Sequence, residues 1–493
     1  MRSSGILMHI SSLPGPYGIG TMGRQAFAFV DFLKTAGQRH WQILPLPPTG
    51  YGDSPYQSCS AFAGNPYLID LDALVEDGLL YTEELENIPW SVREDKVDYG
   101  LLYRNRTKIL RLAFRRFRDA GERFARFRAE NDSWLPDFAL FMALKEQNGG
   151  KPWYQWEEPL KLREPGALDQ AFRDLAEEIQ FHCFVQYLFF KQWDALHAYA
   201  AESGISVIGD VPIYVPLDSV EVWREPQYFQ LDENRNPTAV AGCPPDAFTA
   251  DGQLWGNPLY RWDVLKEDGY GWWLRRLAAA GRLYDVIRID HFRGFESYWS
   301  IPAGDTTARN GRWVKGPDMD FISALKTELP HLRFIAEDLG YLTPEVKALR
   351  EGSGFPGMKV LQFAFDPKEP SNYLPHTYTQ NSVCYTGTHD NLTMQQWFDT
   401  AEEEGISWAK NYMCLTEEEG YVWGTIRTAF ASVSDTVIVP MQDILSLGAE
   451  ARMNFPGTLS DCNWTWRVKS AIMYETMANR ILRLTRLYGR LGN

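Results

Sequence analysis

Residues 285–290 read DVIRID. Val286, Ile287 and Ile289 are β-branched and the run is too short for a helix, so the stretch is a strand, and it ends on a carboxylate, Asp290. The same form recurs on both sides of it: GILMHI (5–10), WQILPL (41–46), SVIGDV (206–211), RFIAED (333–338), MKVLQF (358–363), SVCYTG (382–387) and TVIVPM (436–441). Amphipathic stretches at 23–37, 170–203, 266–281, 318–330 and 418–432 read as helices between several of these strands. Strands that are apolar throughout and alternate with helices belong to a parallel sheet covered on both faces, and eight such units predict an α/β fold, a (β/α)8 TIM barrel. An open doubly wound sheet is the alternative, but no GxGxxG follows the first strand and no GxxxxGK[ST] occurs, so its nucleotide-binding versions lack their fingerprint.

At about 150 residues per domain the 493-residue chain would hold roughly three domains. The strand pattern instead predicts one catalytic barrel over 1–493 with two connections too long for ordinary loops: a mainly helical insertion at 50–169 after the second strand, and one at 214–265 after the third, carrying an active-site loop. The first contains RNRTKILRLAFRRFRDAGERFARFR (104–128), with ten basic and two acidic residues. Such a run could bind nucleic acid or a membrane surface. It also places Leu110, Phe114, Phe117, Phe124 and Phe127 at helical spacing, which predicts packing on the barrel with arginines outward. The net charge of −15 repels phosphate backbones and acidic membrane surfaces and favours packing, so neither nucleic acid nor membrane is expected as a partner.

A hydrophobic fraction of 45 % and a charged fraction of 23 % suffice for a large core without disulfides. Six scattered cysteines form no CxxC pair, no apolar run is long enough for a signal peptide or a membrane span, and the expected compartment is the cytoplasm. Aromatic residues make up 14 % of the chain, most of which a Trp-rich core would absorb. Part of that content sits in Pro- and Gly-rich loops: YGDSPYQS (51–58) with Tyr51, Ser54 and Tyr56, and CPPDAFTADGQLWGNPLYRW (243–262) with Asp246, Phe248, Gln253, Trp255 and Asn257. Aromatic faces stack on sugar rings, and amides such as Gln253 and Asn257 bond their hydroxyls.

In a barrel of this kind chemistry sits at the C-terminal ends of strands. Those ends carry Asp210, Asp290, Glu337 with Asp338, and His389 with Asp390. One such acid is as readily a helix cap; four strand ends with acids point to a site. Arg288 and Asp290 lie two apart on a strand and share a face, so the guanidinium is expected to hold Asp290 ionised, as a nucleophile requires. Glu337 follows Ile335 and Ala336, surroundings expected to raise its pKa as a general acid requires. Two carboxyls pushed apart in this way suit glycosidic-bond chemistry, and a retaining mechanism expects them about 5 to 5.5 Å apart. No HExxH or compact His cluster occurs, and DENRN (232–236) lacks the Gly and Glu of a calcium loop, so neither metal nor cofactor is expected.

The strings SGILMHISSLPGPYGIG, TGYGDSPYQSCSAFAGNPYLID, PPDAFTADGQLWGNPLYRW, VIRIDHFRG, FIAEDLG and TGTHDN together resemble the amylomaltase (4-alpha-glucanotransferase, disproportionating enzyme) family of the α-amylase clan, in order and over nearly the whole chain. The resemblance implies a barrel with insertions and no C-terminal β-sandwich. It implies Asp290 as nucleophile, Glu337 as general acid/base and Asp390 as transition-state stabiliser, with Arg288 and His389 bonding the sugar beside the cleaved bond. It also implies an α-1,4-glucan donor and acceptor: maltooligosaccharides, starch or glucose. Where some relatives carry an aromatic residue in the PPD loop, this chain has Ala247, while Asp246, Phe248 and Trp255 match. A hydrolase would use the same carboxylates, and a non-catalytic glucan-binding protein is the reading from another class. Nothing in the pattern sets an oligomeric state.

Overall fold

The computed structural model describes residues 2–118, 121–245, 250–340, 342–368, 373–469 and 474–491. Its strands are β1 (Ser3–Leu7), β2 (His40–Gln42), β3 (Ser206–Val211), β4 (Ala239–Cys243), β5 (Gln253–Pro258), β6 (Val286–Ile289), β7 (Ser297–Pro302), β8 (Arg312–Lys315), β9 (Phe334–Ala336), β10 (Gly357–Val360), β11 (Ser382–Tyr385) and β12 (Thr436–Pro440). Eight of them close a barrel in the order β1-β12-β11-β10-β9-β6-β3-β2, and every pair is parallel. These eight are the apolar runs of the sequence. They are apolar because both faces are covered: β6 and β11 are buried along their whole length. Parallel pairing therefore costs no exposed apolar surface.

Helices Arg24–Thr35, Ala176–Glu202, Gly271–Leu283, Asp318–Glu328 and Tyr421–Ala431 fall within the predicted helical stretches or overlap them. Gly209 on β3 lets the Tyr284 ring press against the strand, since a Cβ there would stand 2.1 Å from it. Tyr284 in turn accepts the Leu46 N–H at 3.1 Å and ties the loop after β2 to the barrel wall.

Between β2 and β3 the basic run forms two helices, Tyr99–Arg116 and Glu122–Glu130, rather than one. Phe114, Phe117, Phe124 and Phe127 pack against Phe181, Phe184, Tyr187 and Phe190 of the long helix Ala176–Glu202. Several of the arginines are engaged: Arg111 pairs with Glu146 and Glu178, Arg116 with Glu84 and Arg126 with Glu130. Arg106 is buried and donates to the carbonyls of Tyr67 and Ile69.

A second sheet is present that the sequence reading did not contain. β4 and β5 hairpin together, and β4 pairs antiparallel with β7, which pairs with β8, giving the order β5-β4-β7-β8. The segment 214–265 is thus knitted to residues that follow the fourth barrel strand. Among the described residues no strand follows Pro440. Most of the tryptophan is core: Trp41, Trp153, Trp193, Trp223, Trp272 and Trp273 are fully buried. Each such side chain contributes on the order of 2–3 kcal/mol through burial.

Candidate active site

At the mouth of the barrel Arg288 on β6 is 2 % exposed and lies among three carboxylates. Its Nη1 donates to Asp210 Oδ2 at 2.5 Å and to Asp290 Oδ1 at 3.3 Å, and its Nη2 stands 3.3 Å from Glu337 Oε2. The Tyr56 hydroxyl donates to the same Asp210 oxygen at 2.7 Å. The carboxyls of Asp290 and Glu337 lie within hydrogen-bonding reach of each other. Inverting enzymes instead hold such groups about 6.5–9.5 Å apart.

The pKa shifts of this pair run opposite to the expectation from sequence. Burial, and then the charge of Glu337, push Asp290 well above the carboxylate range, more than Arg288 lowers it. Burial raises Glu337 too, but Arg288 and the His291 backbone N–H outweigh it, and Glu337 ends below its ordinary value. That N–H donates to Glu337 Oε2 at 2.5 Å from a turn in which His291 is left-handed, with φ +50°. Asp290 is thus the carboxyl pushed toward its protonated form and Glu337 the one pushed toward its ionised form. Asp338, beside Glu337, points away from the site: it accepts the Met358 N–H at 2.7 Å and pairs with Arg350.

The turn after β11 is braced by its own sequence, since Asn391 Oδ1 accepts both the N–H and the hydroxyl of Thr388, at 2.8 and 2.9 Å. His389 and Asp390 project from it. His389 stacks on Tyr56, with ring centroids 5.2 Å apart and planes at 16°. Its Nε2 stands 3.3 Å from Asp390 Oδ2. Burial raises Asp390, but the His389 charge and the bonds from His389 and Asn454 hold it at about 2, fully ionised.

Trp255 meets His291 edge-on at 4.9 Å, and its indole N–H donates to Gln253 Oε1 at 3.1 Å. Gln253 thus spends its acceptor on holding Trp255, and Asn257 is buried. Ser54 Oγ accepts the Tyr56 N–H and shapes the turn that presents Tyr56. Asp246, Phe248, Ala247 and the Tyr51 side chain lie outside the described residues.

Sequence reasoning missed the loop after β12. Asn454 Nδ2 donates to Asp390 Oδ1 at 2.6 Å, and the Trp464 ring lies 5.7 Å from Tyr56 and 5.9 Å from His389. The signal was present: FPGTLSDCNWTW (455–466) has the Pro, Gly, amide and aromatic content that marked the other two loops. Among the described residues no group of three or more His, Cys, Asp or Glu is placed to hold a metal ion, and no helix is long and apolar enough to cross a membrane.

A family model described as 4-alpha-glucanotransferase matches residues 8–473. A 4-alpha-glucanotransferase of Clostridium butyricum is 49 % identical over 98 % of this chain and 100 % of its own length. One from Thermus thermophilus is 51 % identical over 95 % of each chain. The solved structure of an amylomaltase from Streptococcus agalactiae in complex with acarbose superposes with a TM-score of 0.97 at 44 % identity, covering 100 % of both chains.

Proposed function

The chain belongs to the 4-alpha-glucanotransferase family, and on that premise we propose that it transfers α-1,4-glucan segments by a retaining double displacement carried by Asp290, Glu337 and Asp390. The observation that carries this reading is the close approach of Asp290 and Glu337 under Arg288, whose two terminal nitrogens stand 3.3 Å from one carboxyl and 3.3 Å from the other.

In the donor complex Glu337 carries the proton of the pair and Asp290 is ionised. Glu337 gives it to the glycosidic oxygen as that oxygen leaves C1, and the freed Asp290 carboxylate bonds to C1 from the opposite face. The bond from C1 to the leaving oxygen breaks and the Asp290–C1 ester forms, releasing the reducing-end fragment. Asp390, ionised throughout, bonds the sugar hydroxyls more strongly as positive charge develops on the ring. The 4-hydroxyl of an acceptor glucan then attacks C1, Glu337 takes its proton, and the ester bond to Asp290 breaks with net retention. Arg288 keeps the anionic form of either carboxyl paired at each stage. His389 donates to hydroxyls beside the cleaved bond.

Maltooligosaccharides, starch-type glucans and glucose are the donors and acceptors of this reading. Tyr56, Trp255 and Trp464 line the mouth with apolar faces that favour a sugar over water at the second step. The transferase names of the relatives favour transfer over hydrolysis. We read residues 1–493 as one catalytic barrel in which the segments 50–169 and 214–265 are insertions serving its mouth, and we place the enzyme in the cytoplasm, where its six cysteines stay reduced.

Incubation with maltotriose alone tests the function. A ladder of longer and shorter oligomers with glucose is expected; glucose and maltose without longer products would overturn transfer.

A further inference from the structure

Asp390 is held from a loop distant in sequence. Asn454 Nδ2 donates to Asp390 Oδ1 at 2.6 Å. Arg452, two residues earlier, spans the same gap along the backbone: its Nε donates to the Asn454 carbonyl at 2.8 Å and its Nη2 to the Asp390 carbonyl at 3.0 Å. The guanidinium is itself fixed over the Phe455 ring, 4.2 Å from its centroid. One cation therefore ties two carbonyls together while the neighbouring amide ties the side chains. The loop is braced further along, where Asn463 Oδ1 accepts the Phe455 N–H at 3.1 Å and Trp464 N–H reaches the Met453 carbonyl at 2.7 Å.

We propose that Arg452 and Asn454 form a clamp that positions Asp390, so that the loop after β12 sets the orientation and the ionised state of the transition-state stabiliser. This rests on the reading of Asp390 given above and adds two positioning residues to it. The chemistry follows from what faces Asp390. His389 and Arg288 favour its charged form, and Arg452 approaches its backbone, while the hydroxyl of Tyr56 is turned to Asp210. Asn454 is the neutral donor on Oδ1. It fixes that oxygen without adding charge, which leaves Oδ2, beside His389, to face the sugar. Without it Oδ1 loses its side-chain donor, and only His389, at Oδ2, restrains the carboxylate.

The test is Asn454→Ala with Arg452→Lys as a second variant, each measured for kcat, KM and pH dependence of maltotriose disproportionation and for thermal unfolding. Asn454→Ala is expected to lower kcat about 10- to 100-fold, with KM within about threefold of wild type, and to move the acid limb of the kcat profile upward. Arg452→Lys keeps the charge but loses the planar fork whose Nε and Nη2 reach the two carbonyls, so a smaller loss with an acid limb moved the same way is expected. Unchanged kcat and acid limb in a folded Asn454→Ala would overturn the clamp, as would a rise in KM at constant kcat, which would make Asn454 a substrate contact. If Asn454→Ala does not fold, Arg452→Lys decides alone by the same two readouts. Asp390→Asn, run alongside, keeps the two claims apart. Full activity there overturns the role of Asp390 and the clamp with it, whereas loss there with none in the clamp variants overturns the clamp alone.

Discussion

The backbone N–H of His291 donates to Glu337 Oε2 over 2.5 Å, from a left-handed turn that begins one residue after Asp290. The nucleophile candidate and a donor that lowers the pKa of the acid candidate thus belong to one stretch of chain. The same neighbourhood acts oppositely on the two carboxyls: burial and the charge of Glu337 raise Asp290, while Arg288 and this N–H lower Glu337.

Asp290→Asn and Glu337→Gln each should lose maltotriose disproportionation by at least about a thousandfold. An α-glycosyl fluoride separates them, because fluoride leaves without protonation. Glu337→Gln is expected to release a burst of fluoride equal to the enzyme and then stall for want of a base, while Asp290→Asn gives no burst. Equal behaviour of the two variants toward the fluoride would show that the roles are misassigned.

Arg288 touches Asp210, Asp290 and Glu337 from a position 2 % exposed. A lysine there carries the charge but not the fork, so Arg288→Lys leaves at least one buried carboxylate without its cation. Activity should fall at least about a hundredfold. The loss of stability should be about 3–5 kcal/mol, the range for breaking a buried ion pair, read by urea unfolding at pH 7. A variant of wild-type stability would mean that the carboxylates find other partners.

Tyr56 does two things that one substitution can divide. Its ring stacks on His389 and its hydroxyl bonds Asp210. Tyr56→Phe keeps the stack and removes the bond, so a stability loss of about 1–3 kcal/mol and a fall of about tenfold in kcat are expected. Tyr56→Ala removes both and should also raise KM, because the apolar face at the mouth goes with it. Identical kinetics for the two variants would deny the ring any part in binding.

What could be read from the chain follows from how local each determinant is. The barrel strands were legible because burial on both faces forces an apolar, β-branched run wherever one occurs, as in Val286 to Ile289. The strands β5 and β8 were not: QLWGNP and RWVK mix polar, glycine and proline residues, and the sheet whose edges they form is joined only where β4 pairs with β7 across the fourth barrel strand. The acids Asp290, Glu337 and Asp390 stood out because each sits at or just past a strand end. The opposite shifts of Asp290 and Glu337 did not, since they turn on burial, on Arg288 and on one backbone N–H set by the φ of His291. Nor did Asn454, which reaches Asp390 from 64 residues away along the chain.

Buried groups outside the site give the stability a pH dependence that single variants can dissect. Burial lowers His40 from 6.5 to about 4, so its neutral form is the native one. A folded pKa below the unfolded value means that its contribution is whole above pH 6.5 and is lost as pH falls toward 4, amounting to about 2 kcal/mol at pH 5. Asp443 runs the other way. Burial raises it from 3.8 to about 6, despite the bonds it accepts from Met394 N–H and the Thr386 hydroxyl. Its protonated form favours the fold below about pH 4, and that contribution is lost as pH rises through 6. In urea unfolding at pH 7 and pH 5, His40→Gln should therefore shrink the acid loss of stability by about 2 kcal/mol, and Asp443→Asn should deepen it by about 1 kcal/mol. Shifts of the same sign in both variants would show that one of these groups is not held in the form its surroundings dictate.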